Sequence, residues 1–138
     1  MIRFFSENCS FKLTDLRKIK YWIADVVKDE NKTIGNINFI FCSDDYILDI
    51  NKKYLNHDYF TDVITFDFCD DSKISGDIFI SIDSVRANSI AYKQLFMEEL
   101  YRVMIHGILH LCSYKDSTKL EIALMRSKEN NYLKKITI

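Results

Sequence analysis

The fold is decided by one stretch of the sequence, Val103-Met104-Ile105-His106-Gly107-Ile108-Leu109-His110-Leu111-Cys112-Ser113-Tyr114-Lys115-Asp116. It places two of the chain's three histidines four residues apart inside an apolar run that is typical of a buried helix. Since a helix turns by about 100° per residue, both imidazoles can point at one spot. Asp116 follows beyond a break in the apolar pattern at Ser113. A His-x3-His pair followed by a third ligand predicts a metal site with one position left open for water.

The alternative is that His106 and His110 are ordinary core histidines. Burying both requires partners for all their ring nitrogens, which an apolar helix hardly supplies, whereas a metal ion satisfies one nitrogen of each ring. Asp116 alone would be an exposed loop carboxylate or part of the next helix's cap. Cys112 lies close enough to be an additional ligand, but a partly buried structural thiol is the simpler interpretation.

The composition indicates one globular domain covering residues 1–138. The chain is 48% hydrophobic and 28% charged, which argues against disorder, and its net charge of −1 gives no global signal for nucleic-acid binding. The four cysteines form no C-x2-C pair, and the sequence shows neither a signal peptide nor a membrane-spanning apolar run. We therefore expect a cytoplasmic protein with reduced thiols and no membrane partner.

Hydrophobic periodicity predicts an α+β domain, in which a small mixed sheet of about four strands packs against about five helices. The predicted strands cover 1–5, 37–42, 61–68 and 76–81, and the last two pair through a loop. Segment 32–36 is predicted as a loop and segment 69–75 as an acidic turn. The predicted helices cover 14–29, 46–55, 83–92, 97–112 and 118–135. Helix 97–112 is apolar on nearly every side, so we expect it to be a zincin-like central helix that carries the metal ligands.

Gly107 separates this site from metalloproteases. Those enzymes carry Glu directly after the first histidine, as the general base, and the chain has glycine there. Glycine costs about 1 kcal/mol relative to alanine inside a helix. The expected return is clearance, which would let a substrate or another backbone segment approach the metal.

The stretch from His106 to Leu111, with Tyr114, resembles the H-G-x-L-H-L-x-G-Y-D-H signature of the YbeY family, bacterial metal-dependent endoribonucleases of ribosomal RNA maturation. Further matches to that family lie on both sides of this stretch. They are Asn51-Lys52-Lys53-Tyr54, Asp58 and Thr61-Asp62-Val63-Ile64-Thr65-Phe66 upstream, then Gly76-Asp77-Ile78, and Glu121, Met125, Glu129 and Leu133 downstream. The resemblance covers about residues 37–133.

This resemblance implies one zinc ion, or another divalent metal, and cleavage of single-stranded RNA in 16S ribosomal RNA maturation and ribosome quality control. It implies ribosomal RNA and the small ribosomal subunit or its proteins as partners, and no DNA. By position, the metal ligands are His106 and His110, with Asp116 where the family has a third histidine. The catalytic group would be a metal-bound water held by these three residues, and no general base is identified.

Other site residues follow from the resemblance or depart from it. The substrate cleft is assigned to Thr61, Asp62, Thr65 and Arg86. Ser113 replaces a glycine of the family pattern, Leu55 an arginine and Phe60 a proline. The lost arginine is a natural phosphate contact, and the nearby cations that could replace it are Lys52, Lys53, Lys73 and Arg86.

Two other functions remain open at this point. One is a non-catalytic ribosome-assembly factor in which the metal is structural. The other is a small metallohydrolase of another class, including a weak peptidase, although Gly107 argues against it.

Overall fold

The computed structural model describes residues 1–137 and confirms the predicted α+β class, with four strands and five helices in that range. In chain order these are β1 (Ile2–Glu7), α1 (Leu16–Asp29), β2 (Thr33–Cys42), α2 (Asp44–Leu55), β3 (Val63–Asp67), β4 (Lys73–Ser81), α3 (Ile82–Ala91), α4 (Phe96–Leu111) and α5 (Lys119–Leu133). Among the helices of this range, none has the length and apolar character needed to cross a membrane.

The strands form one mixed sheet in the order β1-β2-β4-β3. β2 runs parallel to both β1 and β4, while β3 pairs antiparallel with β4, from Val63↔Ile80 to Asp67↔Gly76. The pairing expected between the last two strands is therefore confirmed. β3 lies at an edge of the sheet, so one side of this strand has no neighbouring strand.

The predicted loop 32–36 is largely strand, so that prediction is wrong, whereas the predicted acidic turn 69–75 contains a turn at 71–72 but ends earlier than expected, at the start of β4. β2 begins at Thr33 and β4 at Lys73, and these residues pair with each other. The register shifts between Ile34 and Ile37, around Gly35. A Cβ atom on Gly35 would lie only 2.1 Å from the Ser75 Oγ, so the glycine permits two strands to approach closely.

The main core fills one face of the sheet. It packs Ile23 of α1 and Met104 of α4 against Phe39, Phe41 and other strand residues, all essentially inaccessible to solvent. A smaller cluster on the opposite face joins α2 to the sheet through Cys42, Ile47 and Ile64. Burial of each large aliphatic side chain stabilises the fold by roughly 1.5–3 kcal/mol.

α4 is the central helix, as the sequence predicts. From Glu99 to Cys112 every residue is buried except Arg102, His106 and His110, which are only partly buried. These three are spaced four residues apart and therefore form one stripe along the helix. The tightly packed remainder of α4 fixes the stripe's position.

Candidate metal centre

Three side-chain atoms converge at the C-terminal end of α4. The Nε2 atoms of His106 and His110 are 3.0 Å apart, and the Asp116 Oδ2 lies 3.2 Å from the first and 3.3 Å from the second. Both histidines come from the partly exposed stripe of α4, and Asp116 comes from the connection to α5. The structure thus brings together the three residues that the sequence predicts as metal ligands.

The other ring nitrogen of each histidine has an acceptor of its own. The Nδ1 of His106 donates to the Glu129 Oε2 at 2.6 Å, and the Nδ1 of His110 donates to the Tyr114 backbone oxygen at 3.0 Å. Neither a carboxylate nor a carbonyl oxygen can donate, so each Nδ1 carries the hydrogen. In the neutral imidazoles, both Nε2 lone pairs therefore face the common point.

This donor set fits a divalent cation. Two nitrogen lone pairs and a carboxylate oxygen repel one another at these separations unless a positive charge lies between them. Ligand atoms about 2.0–2.1 Å from a tetrahedral zinc ion lie about 3.3 Å from each other, close to the spacings seen here. Hydrogen-bonded Nδ1 groups are also the usual arrangement around metal-bound histidines.

The ionisation of His106 reflects its neighbours. Burial lowers the pKa of His106, but the hydrogen bond from its Nδ1 to Glu129 and the charges of Glu129, Asp116 and Asp62 outweigh this, so the pKa is raised. The Glu129 carboxyl is held ionised in return. Burial raises its pKa, yet its bonds to His106 and Arg102 lower it below the ordinary value.

Glu129 is a site residue that the sequence analysis did not identify. Its side chain is only 4% exposed, and it accepts a hydrogen bond from the Arg102 Nη1 at 3.0 Å besides the one from His106. α5 carries Glu129 to this position after starting at Thr118, where Thr118 and Glu121 form a capping box. The available signal was its place in the downstream family pattern, because a glutamate on a helix near two histidines is a natural partner for an imidazole N–H.

Ser113 shapes the turn that delivers Asp116. Its φ is 78°, in the left-handed region that favours glycine. Its N–H donates to the His110 carbonyl oxygen, and the Tyr114 N–H donates to that of Leu109, so the turn ends α4 with its backbone satisfied. Ser113 thus adopts the conformation for which the family pattern has glycine.

Tyr114 anchors the same turn to α1. Its hydroxyl donates to the Glu30 Oε1 at 2.6 Å, while the Tyr132 hydroxyl and Lys128 contact the Glu30 Oε2. Burial raises the pKa of Glu30, but these three partners reverse the effect and leave it below the ordinary value. An ionised Glu30 therefore holds in place the residue whose carbonyl orients His110.

The metal cleft, as we call the cavity at the three ligands, has a volume of about 610 Å³. Three of the four residues assigned to the substrate cleft line it, namely Thr61, Asp62 and Thr65. Burial raises the pKa of Asp62, although the positive charge of His106 opposes this.

Arg86, the fourth residue assigned to the substrate cleft, lines neither the metal cleft nor the smaller cavity described below. Its guanidinium lies 4.6 Å from the centre of the Phe96 ring. Leu55 ends α2 and is 40% exposed. Within residues 1–137, Lys115 is the one lysine or arginine that lines the metal cleft.

The space left by Gly107 is not open to the metal cleft. A Cβ atom on Gly107 would lie 2.8 Å from the Ile78 Cγ2, so the glycine allows α4 to pack closely on β4. The expectation that it gives clearance for substrate or another backbone segment at the metal is therefore wrong. Cys112 is also no part of the ligand set: it is buried, and burial raises the pKa of its thiol to about 12.

A second cavity of about 340 Å³ adjoins the metal cleft. Both cavities are lined by Asp62, Val63, His106 and Asp116. Two of the three candidate ligands, His106 and Asp116, therefore lie at the boundary between two spaces. One space extends toward Lys115 and Thr65, and the other toward Tyr92, Glu99 and Arg126.

Comparison with known proteins gives a consistent result. The family model described as Endoribonuclease YbeY matches residues 2–137. The chain is 49% identical over 130 residues to the endoribonuclease YbeY of Flavobacterium psychrophilum, covering 94% of this chain and 93% of that protein. It is 47% identical over 129 residues to the Phocaeicola vulgatus protein of the same name, covering 92% and 94%. The solution structure of TM1509 from Thermotoga maritima is similar with a TM-score of 0.68 at 28% identity, covering 97% of this chain and 87% of that one.

Proposed function

Because this chain belongs to the endoribonuclease YbeY family, we propose that it is a metal-dependent endoribonuclease that cleaves single-stranded RNA at the metal cleft. The observation that carries the proposal is the convergence of His106 Nε2, His110 Nε2 and Asp116 Oδ2 while both Nδ1 atoms are engaged elsewhere. We also propose that residues 1–138 form one such domain.

His106, His110 and Asp116 are the proposed ligands of one Zn²⁺ or another divalent ion. When bound, the metal would supply Lewis-acid chemistry, polarising a phosphodiester oxygen and activating water. Asp116 is a harder and more negative ligand than the histidine of the family pattern. It therefore lowers the net charge of the site by one and favours harder divalent ions more than three histidines would.

The remaining residues of the cleft bind and orient the RNA. Lys115 offers a charge for a phosphate, and the Thr61 and Thr65 side chains lie along the wall formed by the edge strand β3. Asp62 is the carboxyl group that we assign to accept a proton from the attacking water. Its raised pKa makes it a stronger base than an ordinary aspartate.

The biological substrate is proposed from the family resemblance. It is 16S ribosomal RNA during maturation and ribosome quality control, with the small ribosomal subunit or its proteins as partners. A cytoplasmic location fits the cysteines, because the four of them are free thiols. The net charge of −1 is consistent with binding that depends on the metal and a few local cations.

A structural role for the metal is the second candidate. It is favoured by the position of Asp116 beyond the Ser113 turn, because a metal there would fasten the α4–α5 connection to α4. The replacement of the family arginine by Leu55 also removes a phosphate contact that catalysis could use.

Cleavage of a single-stranded RNA by the wild type and by His110→Ala tests the proposal. His57→Ala is the matched control, since the chain's third histidine stacks on Tyr59 and does not line the metal cleft. Loss of cleavage in His110→Ala alone supports the endoribonuclease. Equal cleavage by all three proteins would reveal a contaminating nuclease and refute the site. A metal-loaded wild type that cuts no RNA but unfolds on metal removal would favour the structural role.

A further inference from the structure

The cavity beside the metal cleft has the position of a nucleotide subsite. The two cavities share Asp62, Val63, His106 and Asp116, so two of the three proposed metal ligands mark the point where they meet. If RNA is cut at those ligands, as the proposed function holds, the strand continues from the cleaved phosphodiester into the spaces on either side. The second cavity, of about 340 Å³, then receives a nucleotide next to the cut.

The walls of this cavity suit the faces of a nucleobase. Val103 and Met125 are buried apolar side chains that line it, and Ile122 adds a half-exposed one. Tyr92, at the end of α3, also lines it with a ring that is 60% exposed. Single-stranded RNA is bound in this way, with unstacked bases placed on aromatic and apolar surfaces.

Glu99 is a buried polar group of the cavity that lacks a partner. Its side chain is only 6% exposed, and in the part of the chain that the structure describes its carboxylate makes no hydrogen bond or ion pair. The nearby Arg102 is already engaged, donating to Glu129 at 3.0 Å and to the Asn130 Oδ1 at 2.9 Å. A ligand that brings N–H groups to this partly desolvated carboxylate therefore gains charge-assisted hydrogen bonds.

The charges around Glu99 further favour a ligand that donates hydrogen bonds. Burial raises the pKa of Glu99, and the negative charge of Asp62 raises it further, while Arg102 and Arg126 only partly compensate. Glu99 and Asp62 are two of the four carboxylates that line this cavity, and such a lining favours a ligand edge made of donors over one made of acceptors.

We propose that this cavity, the Glu99 cavity, binds a guanine base next to the cleaved phosphodiester, with the Glu99 carboxylate accepting the guanine N1–H and N2–H. Guanine presents these two donors side by side on its Watson–Crick edge. Adenine and cytosine present one donor beside an acceptor, and uracil presents a single donor between two acceptors. An acceptor opposite a carboxylate oxygen is repelled, so the other three bases lose one contact and gain an unfavourable one.

The test uses metal-loaded protein and short oligouridines that carry one central guanosine, adenosine or cytidine, with plain oligouridine as the fourth substrate. Product mapping gives kcat/KM for cleavage next to the varied base. The wild type is expected to cut next to guanosine at least about tenfold faster than next to the other bases, the scale of one bidentate base contact. Glu99→Gln, which replaces one acceptor oxygen by a donor, is expected to reduce that preference to about twofold or less.

Two further variants distinguish a loss of base selection from an overall loss of cleavage activity. Glu98→Gln is the matched control, because it removes the same charge from the neighbouring residue of α4, which does not line the Glu99 cavity. It is expected to keep the guanosine preference. Tyr92→Ala removes an exposed ring without threatening the fold and is expected to weaken cleavage of all four substrates by about fivefold or more, with the preference unchanged.

Binding of the same oligonucleotides to metal-stripped protein, followed by fluorescence anisotropy, makes the outcome independent of cleavage. Tighter binding of the guanosine oligonucleotide that is lost in Glu99→Gln supports the Glu99 cavity even if the wild type cuts no RNA, in which case only the proposed function fails. Equal cutting and equal binding of all four oligonucleotides by the wild type would overturn the inference. So would an undiminished guanosine preference in Glu99→Gln.

Discussion

The Nδ1 of His106 and the Oε2 of Glu129 lie 2.6 Å apart, joining the first proposed metal ligand on α4 to a buried carboxylate on α5. Glu129 in turn accepts from Arg102, one turn before His106 on the same stripe of α4. This chain of contacts fixes the His106 ring and determines that its Nε2 faces His110 and Asp116.

Glu129→Gln tests that relationship. The amide can still accept from His106 but carries no charge, so we expect metal affinity to fall by about 10- to 100-fold, the usual effect of removing such a partner. The measurement is competition for Zn²⁺ against a chromophoric chelator. Glu98→Gln, a partly exposed glutamate of α4, should bind Zn²⁺ as the wild type does, and unchanged affinity in Glu129→Gln would refute the role of Glu129.

Ser113→Gly should stabilise the protein. A non-glycine residue at a φ of 78° is strained, and glycine relieves the strain at some cost in unfolded-state entropy. We expect a net gain of about 0.5–1 kcal/mol, measured by urea denaturation of the metal-free protein. Ser117→Gly, in the same connection but without positive φ, serves as the control and should not be stabilised. A loss of stability in Ser113→Gly would contradict the left-handed turn.

Gly107→Ala should destabilise the protein even though alanine favours helices. The new Cβ would meet the Ile78 side chain at 2.8 Å, and the overpacking should exceed the gain in helix propensity, for a net loss of about 1–2 kcal/mol. The check is a double-mutant cycle with Ile78→Ala, measured by chemical denaturation. The double variant should lose less stability than the sum of the two single changes, and simple additivity would show that the residues do not contact.

Asp62→Asn should stabilise the protein at neutral pH and slow RNA cleavage. Since the pKa of Asp62 is raised in the folded state, the folded protein binds more protons than the unfolded one between the two pKa values, and Asp62 lowers stability as the pH rises through that window. The groups that act on this pKa include His106 and Glu129. The variant should therefore be more stable than the wild type at neutral pH, with the advantage fading toward acid pH.

The same variant should cleave RNA at least about 100-fold more slowly while still binding metal. The measurements are thermal unfolding across pH, single-stranded RNA cleavage and metal content. An Asp62→Asn protein that cuts at the wild-type rate would exclude Asp62 as the proton acceptor.

The sequence alone predicted the features that depend on residue spacing and hydrophobic periodicity within one segment. The spacing of His106 and His110 predicted a shared helix face, and the apolar surroundings predicted the buried position of α4. The same spacing argument extended this to Asp116, and the resemblance added the wall residues Thr61, Asp62 and Thr65, all of which the structure brings to one cleft.

Contacts between distant segments were beyond the same reasoning. The pairing of Thr33 with Lys73 joins two parallel strands that are far apart in the chain. Gly35, in the same part of β2, resembled a loop signal. Glu129 and Glu99 are ordinary helix glutamates in the sequence, and only their burial against the ligands and the second cavity gives them a role. The role of Gly107 in packing α4 against β4 likewise depends on a contact with Ile78, which is distant in the sequence.

The most direct measurement of the central claim is metal titration of RNA cleavage. Wild-type protein is stripped of metal, Zn²⁺ is added in fractions of an equivalent, and cleavage of a single-stranded RNA is followed beside Asp116→Ala and the control Asp58→Ala, an exposed aspartate paired with Lys52 at 3.4 Å. Wild type and Asp58→Ala are expected to gain activity up to one equivalent and then level off, while Asp116→Ala stays inactive. Cleavage by the stripped wild type, or equal activity of Asp116→Ala, would contradict metal-dependent cleavage at this site.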